Sequence, residues 1–349
     1  MHKKINVLIT GLGGPLGISI LKALNFSSFK PRVIGTDIDP LSVGLYRVDK
    51  AYIVPSASEN EEEYISSMKD ISLREKPDIL FLGSEGELNI FSKYKEYFEA
   101  KTGCFVLTSH FRIINIATDK WKLNQELKRK GIPVPDSVIP EEKEALKYFL
   151  KRNSYPMILK PRFGSGSKNN FIIKNEKELR FFIEYIPQPV LQEYLFPDNE
   201  EYTIGVFMED ANRCAGVIIM KRVLTSGLTY KAEVIENEEI EKVCRKASSA
   251  LGIIGPCNIQ LRKTREGPKI FEINPRFSST TVMRAFYGFN EPEMAICKFV
   301  LGKNNIAPSI KKGVSLRYWD EIYIEKKVVE YLKLNKCTEK PHSIRLNNI

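Results

Sequence analysis

Residues 269–280 read KIFEINPRFSST. In a strand, alternate side chains share a face, so Glu272 and Asn274 project together, about 7 Å apart along the chain. Phe271 and Ile273 are expected to turn the other way, into a core. Just upstream, Gln260 in CNIQLRK falls on a neighbouring strand joined through the hairpin-like turn KTREGPK. Three oxygen-bearing side chains then converge from two strands. Such a set suits a hard divalent cation that takes a few ligands from protein and the rest from phosphates and water. Arg276, just past the strand, would add positive charge where a transferred phosphate sits.

A second stretch, MILKPRFGSGSKNN, places Lys160 at a strand end before a loop containing Gly164, Ser165, Gly166 and Ser167. A lysine beside a Gly/Ser loop sets an ammonium and several backbone N–H groups around a polyphosphate. The spacing is not that of a Walker loop. Further on, VLQEYLFPDNEEYTIGVF reads as strand, break and strand. Gln192, Glu193, Tyr194 and Leu195 there offer backbone donors and acceptors to an adenine edge. Glu201 is a candidate for ribose hydroxyls, while an exposed acidic turn accounts for most of its neighbours. Candidates for a second substrate are Glu85 and Glu87 after DILFLG, and Lys221 and Arg222 in IIMKRVLTSG. Arg222 is suited to anchor a carboxylate or to stand as an ordinary surface cation.

The N-terminal run GLGGPLG, with Asp37 20 residues beyond Gly17, fits a dinucleotide-binding turn. A tight strand-to-helix turn that binds no NAD is the favoured reading, because the chemistry further along the chain competes with it. An NAD-dependent oxidoreductase is therefore the rival function, and it leaves residues 260–276 unexplained.

These residues need elements to hold them. NVLIT, RVIGTD, DILFLGS and GCFVLTS read as strands separated by helical runs such as EEEYISSMKDISLREK, which means a parallel α/β unit closing near residue 115. The helix DKWKLNQELKRKG ends on Gly131, a C-terminal glycine of the left-handed kind. Strands dominate from about 189 to 285, around the helix EEIEKVCRKASSALG. VSLRYWDEIYIE in the basic tail reads as a further strand. The chain has 349 residues, a formal net charge of +10 and six scattered cysteines without a CxxC pair. That cysteine usage points to reduced thiols in a cytoplasm and away from a disulfide frame or a zinc knuckle. No apolar run reaches the length of a membrane span. MHKKINVLIT runs straight into a strand, so no cleavable leader is expected. The lysines are dispersed, and nucleic acid is disfavoured as a partner.

Taken together, Asp119-Lys120, MILKP at 157–161, the GSGS loop, LQEYL at 191–195, EEYT at 200–203, Gln260 and FEINPRFSS at 271–279 resemble the ATP-grasp superfamily, in its carbamoyl-phosphate-synthase-like branch. The resemblance implies a mixed α/β and α+β architecture. A Rossmann-like unit (1–115) precedes an ATP-grasp small lobe (116–189) and large lobe (190–310), with a C-terminal extension (311–349). It implies that Lys120, Lys160 and the loop 164–168 hold ATP phosphates, that Glu193 and Leu195 contact adenine, and that Glu201 holds the ribose. Gln260, Glu272 and Asn274 would bind Mg²⁺, or Mn²⁺ in its place, and Arg276 would steady an acyl phosphate. The implied activity is ATP-dependent joining of a small carboxylate to an amine, by a chain that acts alone or as a homodimer; the alternatives are the oxidoreductase and a non-catalytic ATP-binding protein. FSSTT lacks the second arginine of carbamoyl phosphate synthases, so the resemblance does not extend to activation of bicarbonate.

Overall fold

A computed structural model describes residues 4–164, 166 and 169–339. The N-terminal sheet holds five parallel strands: β1 (Asn6–Ile9), β2 (Arg32–Asp37), β3 (Lys50–Ile53), β4 (Ile79–Phe81) and β5 (Phe105–Val106), in the order β3-β2-β1-β4-β5. Its strands are buried at successive positions rather than alternate ones, because helices cover both faces. Helix α1 (Pro15–Leu24) starts on a proline and buries Gly17, Ile20, Leu21 and Leu24 at helical spacing. Helices α2 (Glu61–Glu75) and α3 (Glu85–Thr102) are capped by Asn60 and Ser84, whose side chains accept backbone N–H groups three residues on. Helix α4 (Phe111–Ala117) leads out.

A smaller lobe follows: α5 (Lys120–Arg129), β6 (Ser137–Val138), α6 (Lys143–Arg152), β7 (Met157–Pro161), β8 (Phe171–Ile173), α7 (Glu176–Tyr185) and β9 (Pro189–Glu193). Its sheet runs β6-β9-β7-β8, with every pair antiparallel. Gly131 stands just past α5 with φ +63°.

The larger lobe contains β10 (Glu201–Met208), β11 (Cys214–Thr225), β12 (Leu228–Ile235), α8 (Glu238–Leu251), β13 (Gly255–Thr264), β14 (Gly267–Asn274), α9 (Thr281–Phe286), α10 (Glu291–Ala295) and β15 (Gly313–Leu316). The strands form one antiparallel sheet, β14-β13-β10-β11-β12-β15. Helix α8 lays Ile240, Cys244, Ala247 and Leu251 on one face of it, against Tyr202, Ile204, Ile259, Leu261 and Ile273. Each buried aliphatic side chain there contributes roughly 1.5–3 kcal/mol. On the other face, Phe207, Ile218, Met220 and Val234 share a core with Val7, Ile9 and Phe81 of the N-terminal unit. The two units are thereby packed together, and the second face is the one that meets the cleft.

The C-terminal segment departs from the sequence reading. The tail is not a unit of its own: β15 completes the large sheet, and after α11 (Lys326–Asn335) a last strand, β16 (Cys337–Glu339), pairs antiparallel with β3 of the N-terminal sheet. VSLRYWDEIYIE is a strand only as far as Leu316. Likewise β9, cut by a boundary at residue 190, lies wholly in the small-lobe sheet. No helix among the described residues is long and apolar enough to cross a membrane.

Candidate active site

The cleft between the lobes collects cations on one side. Lys160 is the penultimate residue of β7 and is only 4% exposed, with its ammonium 5.8 Å from the Phe271 ring centre. Burial pushes its pKa down to about 8, against the pull of the Glu272 carboxylate. Lys120 opens α5, and its Nζ donates to the Gly164 carbonyl at 2.6 Å. Burial lowers its pKa too, opposed by Glu272, Glu85 and Asp119. Both lysines therefore face one small set of carboxylates. Ser165 and Ser167 lie outside the described residues; Gly166 is exposed.

Sequence reasoning passed over the brace that sets Lys120. Asp119 caps α5 and accepts from Trp121 and Lys122 N–H groups, while Arg162 donates to both its oxygens at 2.8 Å. Although burial would raise the Asp119 carboxyl, Arg162 holds it below its ordinary value. The pattern DK…KPR carried the signal, as an acid one residue before the first lysine and an arginine two beyond the second.

Facing the lysines, β13 and β14 bring Gln260, Glu272 and Asn274 together. Glu272 Oε1 accepts from Gln260 Nε2 at 3.0 Å and from Asn274 Nδ2 at 2.7 Å. The alternation expected along β14 is broken. Gln260 pairs with Glu272 but Leu261 pairs with Ile270, which leaves Phe271 unpaired in a bulge. Ile270, not Phe271, joins Ile273 in the core, and Phe271 turns under Lys160. A bulge re-aims one side chain at a small cost in pairing.

No group of three His, Cys, Asp or Glu residues suited to a metal occurs among the described residues. The donor set is instead one carboxylate and two carboxamides. Among the described residues Glu272 uses only Oε1 toward its neighbours, which leaves its second oxygen for an ion. These hard oxygens, with Gln260 Oε1 shared with Arg222, fit a Mg²⁺ that takes its remaining ligands from phosphates and water.

The proposed ribose and adenine residues form a neighbouring charge row. Glu201 accepts from Arg222 Nη2 at 2.8 Å and from Arg262 Nη2 at 2.6 Å. Arg222 also donates to Gln260 Oε1 at 2.6 Å. Arg222 is thus neither a surface cation nor a free carboxylate anchor, since its charge is matched by Glu201 within the sheet. Arg262 reaches on to the Leu195 carbonyl at 2.6 Å and lies over the Tyr194 ring. Glu193 accepts from the Asp136 N–H at 2.8 Å and from Lys269 at 2.9 Å, and the buried Gln192 donates to Ser137 Oγ at 2.7 Å. Their side chains brace β9 against β6 and the larger lobe, and its backbone pairs with β6 and β7.

At the N-terminal unit, Arg276 donates to the Phe277 carbonyl at 2.8 Å and pairs with Glu85. Glu85 is therefore tied through Arg276 to the loop that follows β14. Glu87 is not: it is buried and accepts from Thr10, Tyr64 and Ser84 hydroxyls at 2.6–2.7 Å. The first glycine loop is likewise turned inward. Asp37 accepts from the Gly13 N–H at 2.6 Å, and a Cβ on Gly17 would lie 2.4 Å from the Gly11 carbonyl oxygen. The glycines serve close packing of strand on helix.

The Lys160 environment yields a pH prediction. Phosphates favour its ammonium, so nucleotide binding raises a pKa that sits near 8 without nucleotide. Binding of ATP takes up about half a proton near pH 8 and close to one near pH 9, and affinity falls as pH rises. Calorimetry in buffers of different ionisation enthalpy measures the uptake, and Lys160→Met removes it. For the nucleotide-free fold the sign is opposite: the charged form costs stability at neutral pH, and stability rises from about pH 8 toward 10.5.

The two-lobed architecture with paired lysines across from a carboxylate–carboxamide set defines an ATP-grasp protein, and residues 117–280 match the family model of the ATP-grasp domain. Residues 7–107 match the PylC-like N-terminal domain, so the chain is an ATP-grasp protein with a PylC-like N-terminal domain. Its curated relatives include the carbamoyl phosphate synthase large chain of Pyrococcus furiosus, 23% identical over 76% of this chain and 26% of that one. The chain spans about a quarter of the length of such relatives. Among solved structures, a Campylobacter jejuni biotin carboxylase complex superposes with a TM-score of 0.72 at 17% identity, covering 90% of this chain and 76% of the other. An L-amino acid ligase from Bacillus licheniformis superposes with a TM-score of 0.68 at 16% identity, covering 96% and 86%.

Proposed function

We propose that this protein is an ATP-dependent ligase forming a C–N bond. A substrate carboxylate attacks the γ-phosphate of ATP, giving an acyl phosphate and ADP. An amine then attacks the acyl carbon, the C–O bond to phosphate breaks, and inorganic phosphate leaves. The observation that carries this reading is the opposition of Lys120 and Lys160 to Gln260, Glu272 and Asn274 across one cleft. In-line phosphoryl transfer needs positioning and cations rather than a protein nucleophile. Lys160 and Lys120 hold the phosphates. Gln260, Glu272 and Asn274 would hold Mg²⁺ or Mn²⁺, which neutralises phosphate charge when bound. Arg276, steered by Glu85, steadies the acyl phosphate, while Glu201 and the backbone of Glu193–Leu195 hold the nucleoside. Relatives named as ligases and carboxylases support the reaction class, and a 2-oxoglutarate carboxylase domain solved as a dimer supports a homodimer. A cytoplasmic location is part of this reading, on the scattered cysteines without a CxxC pair.

A thermal shift of several degrees with MgATP, and none with NADH, is the expected outcome. Stabilisation by NADH alone would return the first glycine loop to the leading role. ADP release that depends on a small carboxylate plus an amine completes the test, and excludes a non-catalytic nucleotide binder.

A further inference from the structure

The C-terminal segment adds a cation to the cleft that the site does not otherwise use. Arg317 follows β15 directly. Its N–H donates to the Tyr230 carbonyl at 2.9 Å, continuing the pairing of Lys231 with Leu316. It is two residues beyond Ser315, which pairs with Ala232, itself paired with Arg222. Cross-strand partners share a face and residues two apart share it too, so Arg317 stands on the face that carries Arg222 and Gln260.

The guanidinium is half-buried, and its Nη2 donates to the Ser279 carbonyl at 2.6 Å. Arg276 donates to the Phe277 carbonyl of the same loop. Those carbonyls are two residues apart, at most about 7 Å by chain reach. Both arginines therefore reach the same short stretch, 277–279.

Its charge is what singles it out. Arg222 and Arg262 are matched by Glu201, Arg276 by Glu85 and Arg284 by Glu291. Arg317 has no carboxylate partner among the described residues, and burial alone acts on its ionisation, pushing its pKa down. A half-buried cation without an anion is expensive unless an anion arrives with a ligand. A planar guanidinium with one carbonyl contact keeps donors for a carboxylate.

We propose that Arg317 anchors the carboxylate of the amine substrate, which makes that substrate an amino acid. The inference rests on the ligase reading above. The amine nitrogen attacks the acyl carbon, the C–N bond forms, phosphate leaves with the electron pair of the broken C–O bond, and the amine's proton passes to solvent. The carboxylate on Arg317 is unchanged throughout.

The experiment measures ADP release from MgATP with the twenty standard L-amino acids, singly and in pairs, and identifies the amine donor by mass spectrometry of the product. The donor is then replaced by its carboxamide. In the wild type, amidation lowers kcat/KM by about 10- to 100-fold. Arg317→Ala lowers it similarly for the free acid, chiefly through KM, and has no further effect on the amide. Arg317→Lys recovers part of the loss. Equal penalties of Arg317→Ala on acid and amide would make the residue a structural strap and overturn the proposal, as would equal wild-type activity on acid and amide. A panel giving no ADP from a protein that still binds MgATP overturns the amino-acid assignment alone. Failure to bind MgATP overturns the ligase reading and this inference with it.

Discussion

Replacing Glu272 by glutamine is expected to lower ADP release by about 10³-fold while the fold survives. Glu272 is the one carboxylate in its cluster, bridging Gln260 and Asn274 through a single oxygen. A glutamine carbonyl can accept those same two N–H groups, so the cluster keeps its shape and loses its charge. That charge is also felt by both lysines, as the opposing effect of Glu272 on the burial-lowered Lys120 and Lys160 indicates. Removing it weakens ion binding and leaves two cations facing a neutral site. ADP release, with and without supporting amino acids, is the readout, and thermal unfolding tests the fold. A variant with undiminished turnover and an unchanged melting temperature would remove the metal role from β13 and β14.

Glu291→Ala is expected to destabilise the protein by about 3–5 kcal/mol in urea unfolding. Arg284 and Glu291 are both 0% exposed, with Nη1 donating to Oε1 at 3.0 Å. Arg284 Nη2 also donates to Thr203 and Asn258, and Thr281 donates to Glu291 at 2.8 Å. Burial drives the arginine down and the glutamate up in pKa, and each holds the other charged. With Glu291 truncated, an uncompensated guanidinium remains in the interior. A double variant, Arg284→Met with Glu291→Leu, should cost clearly less than the sum of the single changes. A Glu291→Ala effect below about 1 kcal/mol sinks this account, because the penalty for a lone buried charge is larger than that. The pair also lies under the site. Asn258 pairs with Asn274 across the strands, and Thr203 pairs with Gln260. Loosening it should therefore lower activity as well as stability.

The site was legible where chemistry followed short-range periodicity. Gln260, Glu272 and Asn274 could be grouped from sequence because a strand's two-residue period and a hairpin turn are local facts. Lys160 could be placed at a strand end by the glycine-rich run after it. Arg222 could not be read this way. Its pairing with Glu201 depends on the register of β11 against β10, which no local pattern states. Phe271 misled for a related reason. The bulge that turns it under Lys160 arises from the fit of β14 onto β13, and the alternation in KIFEIN gives no sign of it.

The sequence by itself determined the element types, the parallel N-terminal unit, and which residue types could hold phosphate and a cation. Those properties come from backbone sterics and hydrophobic periodicity over a few residues. Only the tertiary structure decided which charges are matched and which are not. It buried Arg284 with Glu291, matched Arg222 and Arg262 with Glu201, turned Asp37 and Glu87 inward, and split the C-terminal segment between two sheets. Charge pairing is a property of positions brought together from distant parts of the chain. It became visible only when long-range packing brought the partners together, and among the described residues it left Arg317 without a carboxylate.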